Sequence, residues 1–475
     1  MSNANFSRRQ FLNGCAAMGA AGASASLANL FHIGQAVAAT TTASDYKALV
    51  CVFLLGGNDS FNMLVPLGAA YGDYASARGA IAVPEGSAIA IDSAGYAGRN
   101  DDNRAFGLHP ALGAGAANGG LAALYEGGSM ALLANVGTLL EPIRDADEYK
   151  AGTSRLPSYL FAHNHQQLQW QTADGSAGVQ AAAGWGGRLA EEMIRHNAND
   201  ATLLPELSMN ISLAGQHAFL GADSVIPYAM SASGIERLVV PGTDGGIRQS
   251  TLRRTLLGLL GVPNHLMADH LAATKQRAYD VAEMLSGLYQ ETSVDGTLYP
   301  AESSLGAQLQ AVARMIDISR NALGVRRQIY LCTLGGWDTH ADQTVRQGAL
   351  LAELGQALHA FHATTRAMGI GHEVTTFTGS DFGRTFNSNG DGSDHGWGGH
   401  QIIVGDAVAG GDIHGQVPEL RLGSALDTGR GRFIPTTSVD QYAATLARWF
   451  GADDIATVMP NIGSFASADV GFMRG

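Results

Sequence analysis

Residues 48–55 (Ala-Leu-Val-Cys-Val-Phe-Leu-Leu) contain no polar side chain and stop at Gly56-Gly57. A strand with one wet face would alternate apolar and polar residues. An unbroken run marks a strand covered on both faces, the pattern of parallel sheets. Similar runs occupy residues 130–136, 328–334 and 374–378, with a weaker one at 401–404. Helical patterns lie between them, at 264–290, 303–323, 345–366 and 438–450. In 345–366, Leu351, Leu354, Leu358 and Phe361 fall on one face. Ser438 is placed to cap the last helix. Strands alternating with helices predict an α/β three-layer sandwich around a central, mainly parallel sheet. Residues 200–260 differ: short apolar alternations broken by Gly and Pro read as a small β-rich, antiparallel extension or cap.

At 475 residues and 46% hydrophobic, the chain can bury a large core, which excludes disorder. A net charge of −13 argues against a nucleic-acid binder, which needs a basic face toward phosphates. The start, Ser7-Arg8-Arg9-Gln10-Phe11-Leu12 followed by an acid-free Ala/Gly-rich run, has the form of a twin-arginine export signal. A signal over residues 1–39 leaves a mature domain at 40–475, exported folded to the periplasm or beyond. No later run reaches the ~20 apolar residues that span a bilayer. Cys15 falls in the signal. Cys51 and Cys332 sit in apolar runs, where they either pair in an oxidising compartment or serve as small buried hydrophobes.

The chemistry gathers where the runs end. The first leads into Gly56-Gly57-Asn58-Asp59-Ser60, and that at 328–334 into Gly336-Trp337-Asp338-Thr339-His340. The run at 374–378 leads into Ser380-Asp381-Phe382-Gly383-Arg384, followed by Asp391, Asp394, His395 and His400. Sites in open parallel sheets form at the carboxyl ends of strands, so these groups can converge although far apart in sequence. Singly, Asp59 and Asp381 suit helix caps, and Asp391 and Asp394 suit turns. Together, carboxylates and imidazoles suit a divalent cation (Zn, Mn, Ca or Mg), with imidazole favouring Zn or Mn. Asp59, Asp338, His340, Asp381, Asp394, His395 and His400 are therefore the candidate ligands.

His163, in Phe161-Ala162-His163-Asn164-His165, is expected at the edge of the same pocket, facing the same way as His165 only if the segment is extended. His109 is expected to close a turn, and His359 and His362 to be partly exposed. His414 is a weaker ligand candidate than His400. The stretch 379–399 carries seven glycines among its 21 residues and no apolar period, and is expected to be a long functional loop. Nucleophile elbows, zinc-protease helices, phosphate loops and dinucleotide fingerprints are absent from the sequence.

These segments, with Leu108-His109-Pro110-Ala111-Leu112, Ala134-Asn135-Val136-Gly137 and Asp394-His395-Gly396-Trp397-Gly398, resemble a secreted bacterial family, domain-of-unknown-function family fifteen-hundred-and-one. That family is placed near the alkaline phosphatase and sulfatase superfamily. The resemblance implies an alkaline-phosphatase-like fold with a metal site at strand ends. In it, Asp59 corresponds to the first-strand metal aspartate, Asp338 and His340 to a later Asp/His pair, and Asp381 to the acid after it. The last imidazole comes from Asp394-His395 or from His400; in an alternative register Asp394-His395 is the Asp-His pair itself. Two features depart from the superfamily: Asp338 and His340 are two apart rather than four, and Phe382 follows Asp381 where a histidine is common. Ser60, Thr138 and Ser158 are the nucleophile candidates.

Two functions remain in competition. One is an exported metal-dependent hydrolase of phosphate or sulfate esters, or a catalytically degenerate relative, in which Arg384 orients a small anionic ester substrate and Ser60 and His163 assist. The other is a non-catalytic periplasmic binding or assembly protein with a structural metal and a protein partner. A redox role has no cofactor motif to support it.

Overall fold

The computed structural model describes residues 45–113, 120–176, 183–196, 199, 204, 207–235 and 266–474. The expected signal at 1–39, Cys15 and much of 200–260 lie outside the described residues.

In chain order the strands are β1 (Lys47–Leu54), β2 (Leu64–Leu67), β3 (Ile89–Ile91), β4 (Ala105–Leu108), β5 (Met130–Gly137), β6 (Asn210–Ser212) and β7 (Tyr228–Ala229). They continue with β8 (Arg327–Leu334), β9 (Val374–Ser380), β10 (Arg384–Ser388), β11 (Ser393–His395), β12 (Gly399–Val404), β13 (Asp412–His414) and β14 (Thr437–Ser438). Nine of them form the central sheet in the order β13-β5-β12-β9-β1-β8-β6-β7, with β14 also on β5. Only β12 runs against the rest. Each apolar run of the sequence is a strand here, with β1, β8 and β9 at the centre.

Alternate residues of β1 serve different cores. Ala48, Val50, Val52 and Leu54 pack with the helices Ser304–Asp317 and Gln343–Ala367 on one face. Leu49, Cys51 and Phe53 pack with Trp185–Arg195 and Val439–Phe450 on the other. Helices thus cover both faces, as the unbroken runs require. Ser438 caps Val439–Phe450 in a full capping box with Gln441. β2, β4 and β3 make a small antiparallel sheet, and β10 and β11 another.

Three expectations change. The stretch 379–399 holds the hairpin β10–β11 rather than a plain loop, because Phe386 packs on Phe61 and Phe433 and anchors a strand amid the glycines. The described part of 200–260 adds β6 and β7 in parallel to the sheet edge, with Ile211 beside Tyr330, instead of forming an antiparallel cap. His362 is buried, not partly exposed, because Asp406 holds its Nε2 at 3.0 Å. The cysteines remain free: Cys332 pairs in register with Val52 and Cys51 with Leu331, so the two thiols point to opposite faces. Among the described residues no helix is long and apolar enough to cross a membrane.

One buried acid makes the fold pH-sensitive. Asp440, in the first turn of Val439–Phe450, is 1% exposed, and burial pushes its carboxyl up to about 7. Its unfolded value is about 3.9. A carboxyl raised in the fold contributes stability that is complete below pH ~4, declines between ~4 and 7, and is gone above. Asp440→Asn, which cannot ionise, is therefore expected to gain up to about 4 kcal/mol over the parent at pH 8 and nothing at pH 4. Urea unfolding at the two pH values checks it; an equal difference at both would contradict it.

Candidate metal centre

The parallel strands β1, β8 and β9 end side by side, and the loops that follow build the site. Gly56 is where they touch. Its φ is +116°, and a Cβ there would lie 2.5 Å from the Asp338 backbone nitrogen. Its N–H donates to Asp381 Oδ1 (3.2 Å) and its carbonyl accepts from Arg384 (3.3 Å). Only glycine tolerates both the dihedral and the approach. Gly56→Ala is expected to destabilise the protein by about 3 kcal/mol, from left-handed strain and overpacking together; a parent-like urea midpoint would contradict this.

Three side chains converge beyond Gly56. One ligand atom each from His163, Asp338 and His395 lies within 4.8 Å of the others. Asp338 is 3.5 Å from His163 Nε2 and 3.4 Å from His395 Nε2. His340 Nε2 adjoins two of the three, at 3.0 Å from Asp338 Oδ1 and 3.1 Å from His395 Nε2.

The opposite nitrogen of each ring is tied down. His163 Nδ1 is 2.7 Å from Asp381 Oδ2, His395 Nδ1 is 2.7 Å from the Phe161 carbonyl, and His340 Nδ1 is 3.1 Å from Asp394 Oδ1. A carbonyl or a carboxylate only accepts, so each Nδ1 carries the proton. In the neutral rings every Nε2 then presents a lone pair to the same small space. Two lone pairs 3.1 Å apart beside a carboxylate repel unless a proton or a metal ion lies between them. Tetrahedral coordination at ~2.0 Å places ligand atoms ~3.3 Å apart; Asp338 lies 3.4 Å from His395 Nε2 through Oδ1 and 3.5 Å from His163 Nε2 through Oδ2, close to that spacing, within a set that spans up to 4.8 Å. Histidine ligands also characteristically donate their other N–H to a carboxylate or carbonyl. The residues present fit a divalent metal.

The surroundings shape these groups. Burial works to raise the Asp338 carboxyl, but the hydrogen bond and charge of Arg384 (2.6 Å) outweigh it and hold it below the ordinary range. Partial burial likewise opposes ionisation of Asp394, but Asn389, Arg430 and His340 bring it down to about 2. The Asp381 hydrogen bond holds His163 up, while burial lowers His395. The Phe382 ring stands 4.8 Å from His163 and 4.7 Å from His395. Tyr159 (φ 52°) and Phe161 (φ 72°) are non-glycine residues in left-handed conformation, and such strain clusters at functional sites.

The sequence candidates divide accordingly. Asp338, His340 and His395 meet at the centre. Asp381 is fully buried one step behind it, receiving Gly56, His163 and Gln167 (2.8 Å). Asp394 is likewise behind His340. Arg384 is buried with its donors committed to Asp338, Gly56 and Ser393. Asp59 lies apart from the cluster, buried against Arg78, Gln343 (2.5 Å) and Ser393 (3.2 Å). Asp59 also stands at the helix start Ser60–Met63 without capping it through its side chain. Ser60 is buried, its Oγ accepting from the His400 N–H at 2.8 Å. His400 is buried with Nδ1 on the Asn135 N–H (3.0 Å), and burial drops it to about 3. Thr138 is buried on Gln166, and Ser158 is exposed. His414 is bound to the Ala409 carbonyl, and His109 closes its turn by accepting from Ala111.

His163 is the member of the cluster that the metal reading of the sequence left aside. Its segment is helical, His163–Thr172, so His163 and His165 diverge. His165 stacks on exposed Tyr159 at 4.2 Å while His163 enters the cluster.

Solved structures similar to this chain include Ps i-CgsB in complex with k-i-k-neocarrahexaose, at 12% identity over 86% of this chain and 72% of that one, TM-score 0.32. Ps i-CgsB alone aligns at 11% identity over the same shares, TM-score 0.33. The PsFucS1 sulfatase from Pseudoalteromonas sp. aligns at 11% identity over 94% of this chain and 76% of that one, TM-score 0.32. No curated protein sequence matches the chain. Residues 243–466 match the family described as Protein of unknown function (DUF1501), a stretch that includes Asp338, His340, Asp381, Arg384, Asp394 and His395. Over residues 243–466, then, this chain is similar to the DUF1501 family.

Proposed function

We propose that this is an exported, metal-dependent hydrolase of phosphate or sulfate esters, in which His163, Asp338 and His395 hold one divalent ion. The observation that carries the reading is the set of three Nε2 lone pairs beside Asp338, each ring fixed from behind. Two imidazoles and one carboxylate favour Zn or Mn over the harder Ca and Mg. Such an ion supplies Lewis acidity and an activated water at neutral pH. An ion held by only three protein ligands would keep room for water or substrate, as catalytic sites do.

His340 stands beside Asp338 and His395 with Asp394 on its Nδ1, so its Nε2 could take a proton from water and return it to a leaving oxygen. Arg384 holds Asp338 in place. Buried Ser60 takes no part in the bond-breaking, and water is the nucleophile. Export rests on Arg8, Arg9 and the acid-free run behind them.

His340 is also close enough to be a fourth ligand, which would close the site and make the metal structural. His340→Gln separates the two. As proton carrier, its loss leaves bound metal unchanged and lowers turnover by about 100-fold or more; as ligand, its loss releases metal. The assay uses protein loaded with Zn or Mn and 4-nitrophenyl phosphate or sulfate. Chelator-sensitive hydrolysis is expected, and none of either ester at one bound equivalent would overturn the proposal.

A further inference from the structure

We infer that Arg430 and Arg432 form the anion-recognition element of this site, a deepening that rests on the proposed hydrolase reading. Arg384, the arginine nearest the centre, is fully buried and its donors are committed to the protein. The anionic group of an ester must find its donors elsewhere.

Arg432 donates from Nε to the His395 carbonyl (3.0 Å) and lies 4.5 Å over the ring of Phe161, whose carbonyl holds His395 Nδ1, so it adjoins a proposed ligand on that side. Among the described residues nothing accepts from its two terminal amino groups. Arg430 donates from one terminal nitrogen to Asp394 Oδ2 (2.5 Å), the carboxylate behind His340, and its side chain is 47% exposed. Its remaining donors have no acceptor among the described residues.

Hydrogen bonds hold the loop that carries both. Asp427 accepts from the Gly429 and Gly431 N–H groups, each at 2.7 Å, and from Gly423 at 2.8 Å. The Arg430 carbonyl accepts from Asn387 (3.2 Å) and the Gly431 carbonyl from Phe386 (3.0 Å), tying the loop to β10. Arg430 itself is left-handed at φ 64°, a conformation that costs a non-glycine residue ~1–2 kcal/mol unless its surroundings impose it. Two planar guanidiniums held beside His395 and Asp394, each with donors to spare, suit an oxyanion with several equivalent oxygens.

The test is calorimetric titration of inorganic phosphate and inorganic sulfate into metal-loaded protein, parent against Arg430→Gln, Arg432→Gln and the double variant, with metal content measured in parallel. The double variant is expected to keep its metal and bind at least one of the two anions about 10- to 100-fold more weakly. Arg432→Lys, which keeps charge without the fork, should recover only part of the loss; full metal retention shows that the variants leave the centre intact. Parent-like anion affinity in the metal-loaded double variant overturns the inference alone. Absence of bound metal in the parent overturns the hydrolase reading and this inference with it.

Discussion

His163→Ala is expected to weaken binding of Zn or Mn by about 100-fold or more, while Asp381→Asn costs about 10- to 100-fold. The order follows from position. His163 offers its Nε2 to the centre, whereas both Asp381 oxygens face away into His163, Gln167 and Gly56. Losing a ligand removes a bond to the ion; losing the carboxylate behind it frees the ring to rotate and lowers its basicity. Competition with a chromogenic chelator measures both. Equal losses would contradict this order, and a larger one for Asp381→Asn would place Asp381 rather than His163 on the ion.

The second large effect is on folding. Arg78 and Asp59 are both completely buried and paired, and Arg78 also donates to the Thr385 (3.0 Å) and Phe386 (3.1 Å) carbonyls. Arg78→Met leaves the Asp59 charge uncompensated and is expected to destabilise the protein by about 3–5 kcal/mol. Adding Asp59→Asn removes the orphaned charge and should restore part of that loss. Urea unfolding reads both variants. Molecules that remain folded should keep their full metal complement, since Asp59 lies outside the cluster; metal lost only when Asp59→Asn is added, while the fold persists, would put Asp59 back among the ligands.

These two cases show what the sequence exposes and what it hides. The sheet was legible because β1, β5, β8 and β9 are apolar without interruption, a pattern that follows from burial on both faces. The convergence of Asp338, His340, Asp381 and His395 followed from the rule that loops after parallel strands share one edge. The division of labour among them was not legible, since an aspartate that binds a metal and one that holds a histidine look alike in sequence. Asp59 stands after the first strand as a ligand would, yet its partner Arg78 comes from the helix Tyr71–Arg78, with no local signal joining the two. Arg384 sits close enough to hold an anion, but Ser393 and Gly56 claim its donors, and only folding the β10–β11 hairpin brings them there. His163 depended on whether its segment was helix or strand, a choice that the polar run His-Asn-His-Gln-Gln leaves undetermined.

The central claim is that His163, Asp338 and His395 hold an ion. Elemental analysis of protein purified from a host that exports it, beside the same preparation of His395→Ala, tests it most directly. We predict about one equivalent of Zn or Mn in the parent, removed by chelator and restored on adding metal back, and about a tenth of that or less in the variant. Less than a tenth of an equivalent in a parent that cannot be reloaded, or the same content in both proteins, would contradict it.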